Sequence, residues 1–348
     1  MKNIRLKLLL VLAVIVPWAP TAFADSAPDA KLDYHDSPGA YQVQTVKYDW
    51  VDAKRDRKVP VKIYYPADAK GRLPVIIFSH GLGGSREGYA YLGNYWASHG
   101  YVSVHPQHLG SDTGVWQGVP PEERMQALSK AAYDVTNAVN RPLDVSFVID
   151  EVTKLNAGDS PLKDRLDLER IGMAGHSFGA YTTLAVAGQI FVKPDGRKIS
   201  HRDPRIKAAI AMSAPVPKSQ DLVSEAFAKI SIPCFHMTGT LDDSPVGETK
   251  AAQRRIPFDK IQGPDEFLLT FTGGDHMVFS GRPRRMSGGE KDEQFQALIC
   301  TSSTAFWDAY LKGDDKARKW LVGKGFESEL GDSGTFEKKL HGALPGPQ

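Results

Sequence analysis

The chain has 348 residues, of which 41% are hydrophobic and 24% charged, with 43 Lys and Arg against 41 Asp and Glu. A balance this close to neutral gives no reason to expect nucleic acid or an acidic membrane as a partner. Length and ordinary composition suit one large α/β domain or two smaller domains.

Residues 1–24 read as a secretory signal. Lys2, Arg5 and Lys7 form a charged start, Leu8 to Val16 an apolar stretch, and Ala22-Phe23-Ala24 a small-x-small cleavage site before Asp25. Nine apolar residues fall short of the roughly 20 that span a bilayer, and Pro17 and Pro20 interrupt the extension. No Cys stands at the cleavage site for a lipid anchor. The expectation is cleavage after Ala24 and a periplasmic or secreted protein without a stable membrane anchor. Losing this segment removes three basic and no acidic residues, which leaves a net charge of −1.

A polar leader with Pro and Gly covers 25–40, and the domain is expected over 41–330. Tyr41 to Val51 and Val59 to Tyr65 alternate as two antiparallel strands, joined by the charged loop Asp52 to Lys58. Leu73 to Phe78 is nearly all apolar, as a strand buried on both faces should be. A Gly-rich loop follows, then a helix from about Glu87 to Ser98 and a buried strand Tyr101 to Val104. Gly110 to Pro120 is irregular, and helices are predicted over Glu122–Val139 and Leu143–Leu155, so that 111–140 reads as a cap insertion. A strand Arg170 to Ala174 enters Gly175-His176-Ser177-Phe178-Gly179, and a helix continues from Ala180. Further apolar strands are Ile206–Met212, Ile232–Met237 and Glu266–Phe271, and the last helix runs from about Glu290 to Leu311. A Pro/Gly-rich tail, 331–348, closes the chain. Strands alternating with helices imply a mostly parallel, twisted sheet of about eight strands with helices on both faces.

Strand, sharp turn and helix around Gly-x-Ser-x-Gly form the setting of a nucleophile elbow, which lifts Ser177 off the sheet edge. An alkyl hydroxyl needs an adjacent base, and the base an orienting acid. The chain supplies them in the order Ser177, Asp242, His276, each in the loop after an apolar strand. Of ten histidines, only His276 follows such a strand in a Gly-rich loop and after the acid. His236 falls within a strand, His201 and His341 in polar segments, and His176 inside the elbow. Asp242 stands three residues beyond Gly239; Asp243 and Asp275 are the alternatives.

An oxyanion hole needs backbone N–H groups aimed at developing negative charge. Phe178 follows the nucleophile, and Leu82 lies in Ser79-His80-Gly81-Leu82-Gly83-Gly84 after the first buried strand. That run lacks the order of a phosphate loop. Trp116, Met277 and Phe279 are candidate walls of a substrate pocket, as apolar residues near the site. His105 and His108 with Asp112 invite a metal reading, but Pro106 between the histidines speaks for a loop rather than a helix that aligns them, so no metal is expected. Cys234 and Cys300 lie in apolar runs and read as buried thiols sooner than as a disulfide.

With His80 to Gly84, Gly175 to Gly179, Asp242 and His276, the chain resembles the α/β-hydrolase superfamily over about residues 41–312. Phe78-Ser79-His80-Gly81-Leu82-Gly83 and Ala174-Gly175-His176-Ser177-Phe178-Gly179 are more narrowly similar to the platelet-activating-factor acetylhydrolase group and to dienelactone-hydrolase-like proteins. The resemblance implies a serine carboxylic-ester hydrolase with no metal or organic cofactor, acting on a small or lipid-like ester. True dienelactone hydrolases use a Cys nucleophile, and position 177 is Ser. A peptidase or amidase with the same residues, and a binding protein on the same fold, are the other readings.

Overall fold

Alternate residues of Leu73–Ser79 serve two cores. Ile76 and Phe78 pack with Trp96, Phe235, Phe267 and Trp307 on one face of the sheet; Val75 and Ile77 pack with Val145, Val148, Ile149 and Met173 on the other. That is why the strand carries no polar alternation. The structure is a computed structural model, which describes residues 39–193, 195–217, 220–282, 289 and 291–341. The signal segment and nearly all of the 25–40 leader lie outside the described residues.

In chain order the elements are β1 (Val43–Asp52), β2 (Arg57–Pro66), β3 (Leu73–Ser79), α1 (Ala90–Ser98), β4 (Val102–Pro106), α2 (Arg124–Ala132), α3 (Val135–Ala157), β5 (Leu166–His176), α4 (Phe178–Ala187), β6 (Ile190–Val192), β7 (Lys198–Ser200), β8 (Ile206–Met212), α5 (Gln220–Phe227), β9 (Cys234–Leu241), α6 (Ile256–Lys260), β10 (Glu266–Asp275), α7 (Asp292–Trp307), α8 (Asp315–Val322), α9 (Gly325–Leu330) and β11 (Gly334–Lys339). One sheet runs β1-β2-β4-β3-β5-β8-β9-β10-β11, and β6 and β7 form a separate hairpin. From β4 to β10 every pairing is parallel; β1, β2 and β11 add antiparallel edges. Helices α1, α7, α8 and α9 contribute to the core on one face, and α3, α4 and α5 to the two clusters on the other.

The sheet has nine strands rather than about eight. The extra one, β11, lies in the segment read as a tail. It pairs Glu266 to Phe271 with Gly334 to Lys339, and its Phe336 stacks on Phe267 at 5.8 Å between ring centroids. One aromatic residue among charges on an edge strand leaves little periodicity to read.

A second difference concerns the helices after Pro121. They break at Tyr133 and Asp134, not between Val139 and Leu143. Asp134 accepts a hydrogen bond from Thr136 N at 2.8 Å and caps α3, a contact worth about 1 kcal/mol. Pro142 sits inside α3, where it has no N–H for the carbonyl of Ala138. Tyr181 in α4 donates to that freed carbonyl at 3.4 Å, so the proline is accommodated rather than terminating the helix.

Cys234 and Cys300 are both buried and free. Among the described residues no helix is long and apolar enough to cross a membrane.

Candidate active site

Four loops at the carboxyl ends of β3, β5, β9 and β10 meet at one place, as ligand sites in parallel sheets do. Ser177 stands between β5 and α4 with φ 57° and ψ −117°, a conformation uncommon for a residue with a Cβ. The turn requires backbone contact with its surroundings. A Cβ on Gly179 would meet Ser79 O at 1.8 Å, and one on Gly175 would meet Gly179 O at 2.4 Å. The amide of Ser177 donates to Met212 O at the end of β8, at 2.8 Å.

His276 follows β10 directly. Its Nε2 lies 2.9 Å from Ser177 Oγ and its Nδ1 2.7 Å from Asp242 Oδ1. A carboxylate accepts only, so Nδ1 carries the proton and Nε2 is free to accept from the serine hydroxyl. Asp242 is fully buried, and Thr238 Oγ1 donates to its second oxygen at 2.8 Å. The buried Arg254 donates from Nε to Asp242 O at 3.1 Å and from Nη1 to Ser213 O at 2.8 Å, and its Nη2 lies 3.4 Å from Asp242 Oδ1. The two alternative acids have other partners. Asp243 faces solvent in an ion pair with Lys250 at 2.9 Å, and Asp275 accepts from Met277 N at 2.8 Å in the turn beside it.

The loop Ser79 to Gly84, where the sequence places an oxyanion donor, is fixed from behind. His108 N–H donates to His80 Nε2 at 3.0 Å, so His80 is protonated on Nδ1, which donates to Gly81 O at 2.6 Å. Gly84 N–H also reaches Gly81 O, at 3.1 Å. In a trans peptide the carbonyl and the next N–H point opposite ways. With Gly81 O held toward the protein, Leu82 N–H is turned toward the cavity that both Gly81 and Leu82 line. Burial, with the Arg141 charge beside it, pulls the His80 pKa well below the ordinary histidine range, which keeps it in this neutral form. Phe178 is the first residue of α4, and its N–H has no carbonyl partner within the helix.

A cavity of about 600 Å³ opens over these groups. Ser177, His276, Leu82, Phe178 and Met277 line it, with Leu128 and Tyr133 from the 111–140 segment, Tyr181 from α4, and Val216. Two expected wall residues lie elsewhere. Trp116 turns its indole to the Ser79–Gly84 loop, donating to Gly83 O at 2.8 Å. Phe279 is wholly buried against Phe271, at 6.2 Å between ring centroids. His176 has its Nδ1 2.8 Å from Tyr89 Oη and its ring centroid 4.7 Å from that of His276.

His105, His108 and Asp112 do not share a site. His105 Nε2 lies 2.9 Å from Ser103 Oγ, His108 bonds Ser79 Oγ at 2.8 Å and Asp144 at 3.0 Å, and Asp112 accepts from Gln107 at 2.6 Å. Among the described residues one group of metal-type donors comes together, Cys234, His236 and Glu266, all buried. It lies at the starts of β9 and β10, away from Ser177, and His236 Nε2 is 2.8 Å from Glu266 Oε2. The roles of Thr238, Arg254 and His108 carry no sequence signal: each is an ordinary polar residue until the fold brings its partner alongside.

The chlorophyllase family model matches residues 34–195, which hold the Ser79–Gly84 loop and Ser177 but neither Asp242 nor His276. A platelet-activating factor acetylhydrolase of Cavia porcellus is 24% identical over 296 residues, 76% of this chain and 63% of the relative. The proteins of the same name from Canis lupus familiaris and Bos taurus are 25% and 26% identical, each over 60% of this chain and 48% of the relative. The chain thus spans between about half and two-thirds of the length of these curated relatives.

Proposed function

We propose that this α/β hydrolase is a serine carboxylic-ester hydrolase, acting on a short-chain or lipid-like acyl ester through an acyl-enzyme at Ser177. The observation that carries the reading is the unbroken chain of contacts from Ser177 Oγ to His276 (2.9 Å) and from His276 to Asp242 (2.7 Å), at the floor of a 600 Å³ cavity. His276 takes the hydroxyl proton as Ser177 attacks the carbonyl carbon, and Asp242 stabilises the imidazolium that forms. Leu82 and Phe178 amides receive the oxyanion. His276 then protonates the departing alcohol, and a water molecule, deprotonated by the same ring, releases the acid. Apolar walls from Leu128, Tyr133, Tyr181 and Val216 support an acyl or alkyl group as the bound portion. The relatives' name, which specifies an acetyl ester, speaks for a short acyl chain. The segment 111–140, which supplies Leu128 and Tyr133, acts as a cap wall.

The reading is tested by turnover of p-nitrophenyl esters of graded chain length by wild type and Ser177→Ala. We expect the variant to lose roughly 10⁴–10⁶-fold in kcat; equal rates would overturn the assignment. Aminoacyl amides in the same panel separate an esterase from an amidase. We further propose export by the signal segment 1–24, with a mature protein that begins at Asp25 on N-terminal sequencing.

A further inference from the structure

Arg141 is fully buried, one residue before Pro142 in α3. Its Nε donates to Ser111 Oγ at 2.9 Å. Nη1 donates to His80 O at 2.9 Å and reaches Ser79 Oγ at 3.3 Å and Thr182 Oγ1 at 3.4 Å. Its guanidinium carbon stands 4.3 Å from the centroid of the Phe178 ring. These partners are neutral. The nearby carboxylate of Asp144 is engaged instead by Arg55 at 2.9 Å, Arg57 at 2.8 Å and His108 at 3.0 Å. Burying a cation without a carboxylate in contact is costly, and an apolar side chain of similar volume would fill the space without that cost.

The contacts coincide with the two oxyanion donors. Through His80 O, Arg141 holds the peptide just before Gly81, whose carbonyl orientation sets Leu82 N–H. Through the ring face, it holds the residue that supplies the other N–H. A positive charge behind both donors favours a negative oxygen over the neutral carbonyl it grows from, so its effect is larger in the transition state than in the bound ester. Burial lowers the guanidinium pKa to about 9, which leaves it charged at neutral pH.

We propose that Arg141 is a positioning residue for the oxyanion hole, acting on the reacting carbonyl through His80–Gly81–Leu82 and through Phe178. This rests on the ester-hydrolase reading.

The test compares Arg141→Met and Arg141→Lys with wild type, each normalised to active sites titrated with a fluorophosphonate, so that a smaller folded fraction does not count as slower chemistry. For the Met variant we expect kcat per titrated site to fall about 10–100-fold with KM within about 3-fold, and the inhibition constant of an alkyl boronic acid, which mimics the tetrahedral adduct, to rise by the same factor. The Lys variant keeps the charge but not the fork of contacts, and falls between. If the Met variant does not fold, the Lys variant carries the test: a parallel loss in kcat and boronate affinity supports the proposal, and unchanged kcat overturns it. Loss of kcat without loss of boronate affinity also overturns it. Absence of ester turnover in the wild type would sink the ester-hydrolase reading instead, which keeps the two failures apart.

Discussion

Asp242 and Asp243 are neighbours in the chain and opposites in setting. Asp242 is fully buried, 2.7 Å from His276 Nδ1; Asp243 faces solvent, 2.9 Å from Lys250. Asp242→Asn should permit the wrong histidine tautomer and lower kcat by roughly 10³–10⁴. Asp243→Asn removes an ion pair that solvent screens and should leave kcat within about 2-fold. Steady-state rates for the two variants decide which carboxylate serves the histidine. The reverse order would assign the role to Asp243.

Thr238 is the group that satisfies the second oxygen of Asp242. Thr238→Val keeps the shape and deletes the donor, leaving a buried carboxylate oxygen short of a partner. We expect a stability loss of about 1–3 kcal/mol in chemical denaturation. A several-fold drop in kcat should accompany it, as Asp242 gains freedom to rotate. Unchanged denaturation and kinetics would show that Thr238 does not hold the acid.

Gly179→Ala asks a Cβ to sit 1.8 Å from Ser79 O, between the turn at Ser177 and the loop proposed to hold the oxyanion. Neither segment can withdraw without moving a donor, so a stability loss at or beyond about 3 kcal/mol is expected. A melting temperature within a few degrees of wild type would contradict the elbow packing. The exposed Gly118 has open space around the corresponding position but a φ of 77°. Gly118→Asn, with a residue tolerant of that conformation, serves as the mild control.

Acid should unfold the protein early. Burial holds His105 down to about 3 and His108 to about 4, and depresses His80 and His176 well below the usual value. Each is neutral in the folded state while its unfolded counterpart takes a proton below about pH 6.5. The unfolded state then binds more protons, so stability is fully present above pH 6.5 and is lost as pH falls toward the folded values. The slope is up to about 1.4 kcal/mol per pH unit for each histidine. Within the His236–Glu266 pair, burial lowers His236 to about 3 and raises Glu266, so their contributions oppose each other over this interval. Urea midpoints measured from pH 7 to 4.5 should fall steeply; a flat profile would contradict the neutral buried histidines.

The parallel strands are legible because burial on both faces removes the polar half of the pattern, as Val75-Ile76-Ile77-Phe78 shows. Ser177, Asp242 and His276 could be read because each ends such a strand, and the structure brings them within hydrogen-bond reach of one another. What failed to show had local cues pointing elsewhere. The expected gap between Val139 and Leu143 is helical, and Tyr181, whose hydroxyl accommodates Pro142, is 39 residues from it in sequence and adjacent only in the fold. Trp116 and Phe279 looked like pocket walls because an apolar residue near a site reads the same whether it faces substrate or packs behind a loop. Arg141 fell in the gap between the two predicted helices, and its partners Ser79, His80, Ser111 and Thr182 stand beside it only in the fold.

The end of β8 carries none of Ser177, Asp242 and His276, yet it is the spacer between the loops that hold two of them. Met212 O fixes the Ser177 amide, Ser213 N–H donates to Met237 O on β9 at 2.8 Å, and Ser213 O anchors Arg254 beside Asp242. All of these are main-chain connections from β8, so side-chain changes there need not alter them. An inserted or deleted residue near Ser213 would shift Ser177 and Asp242 out of step at once. Substitutions along β8 should therefore be tolerated far better than any change in its length, and a screen for new substrates can vary the cavity walls freely while this strand stays at one register.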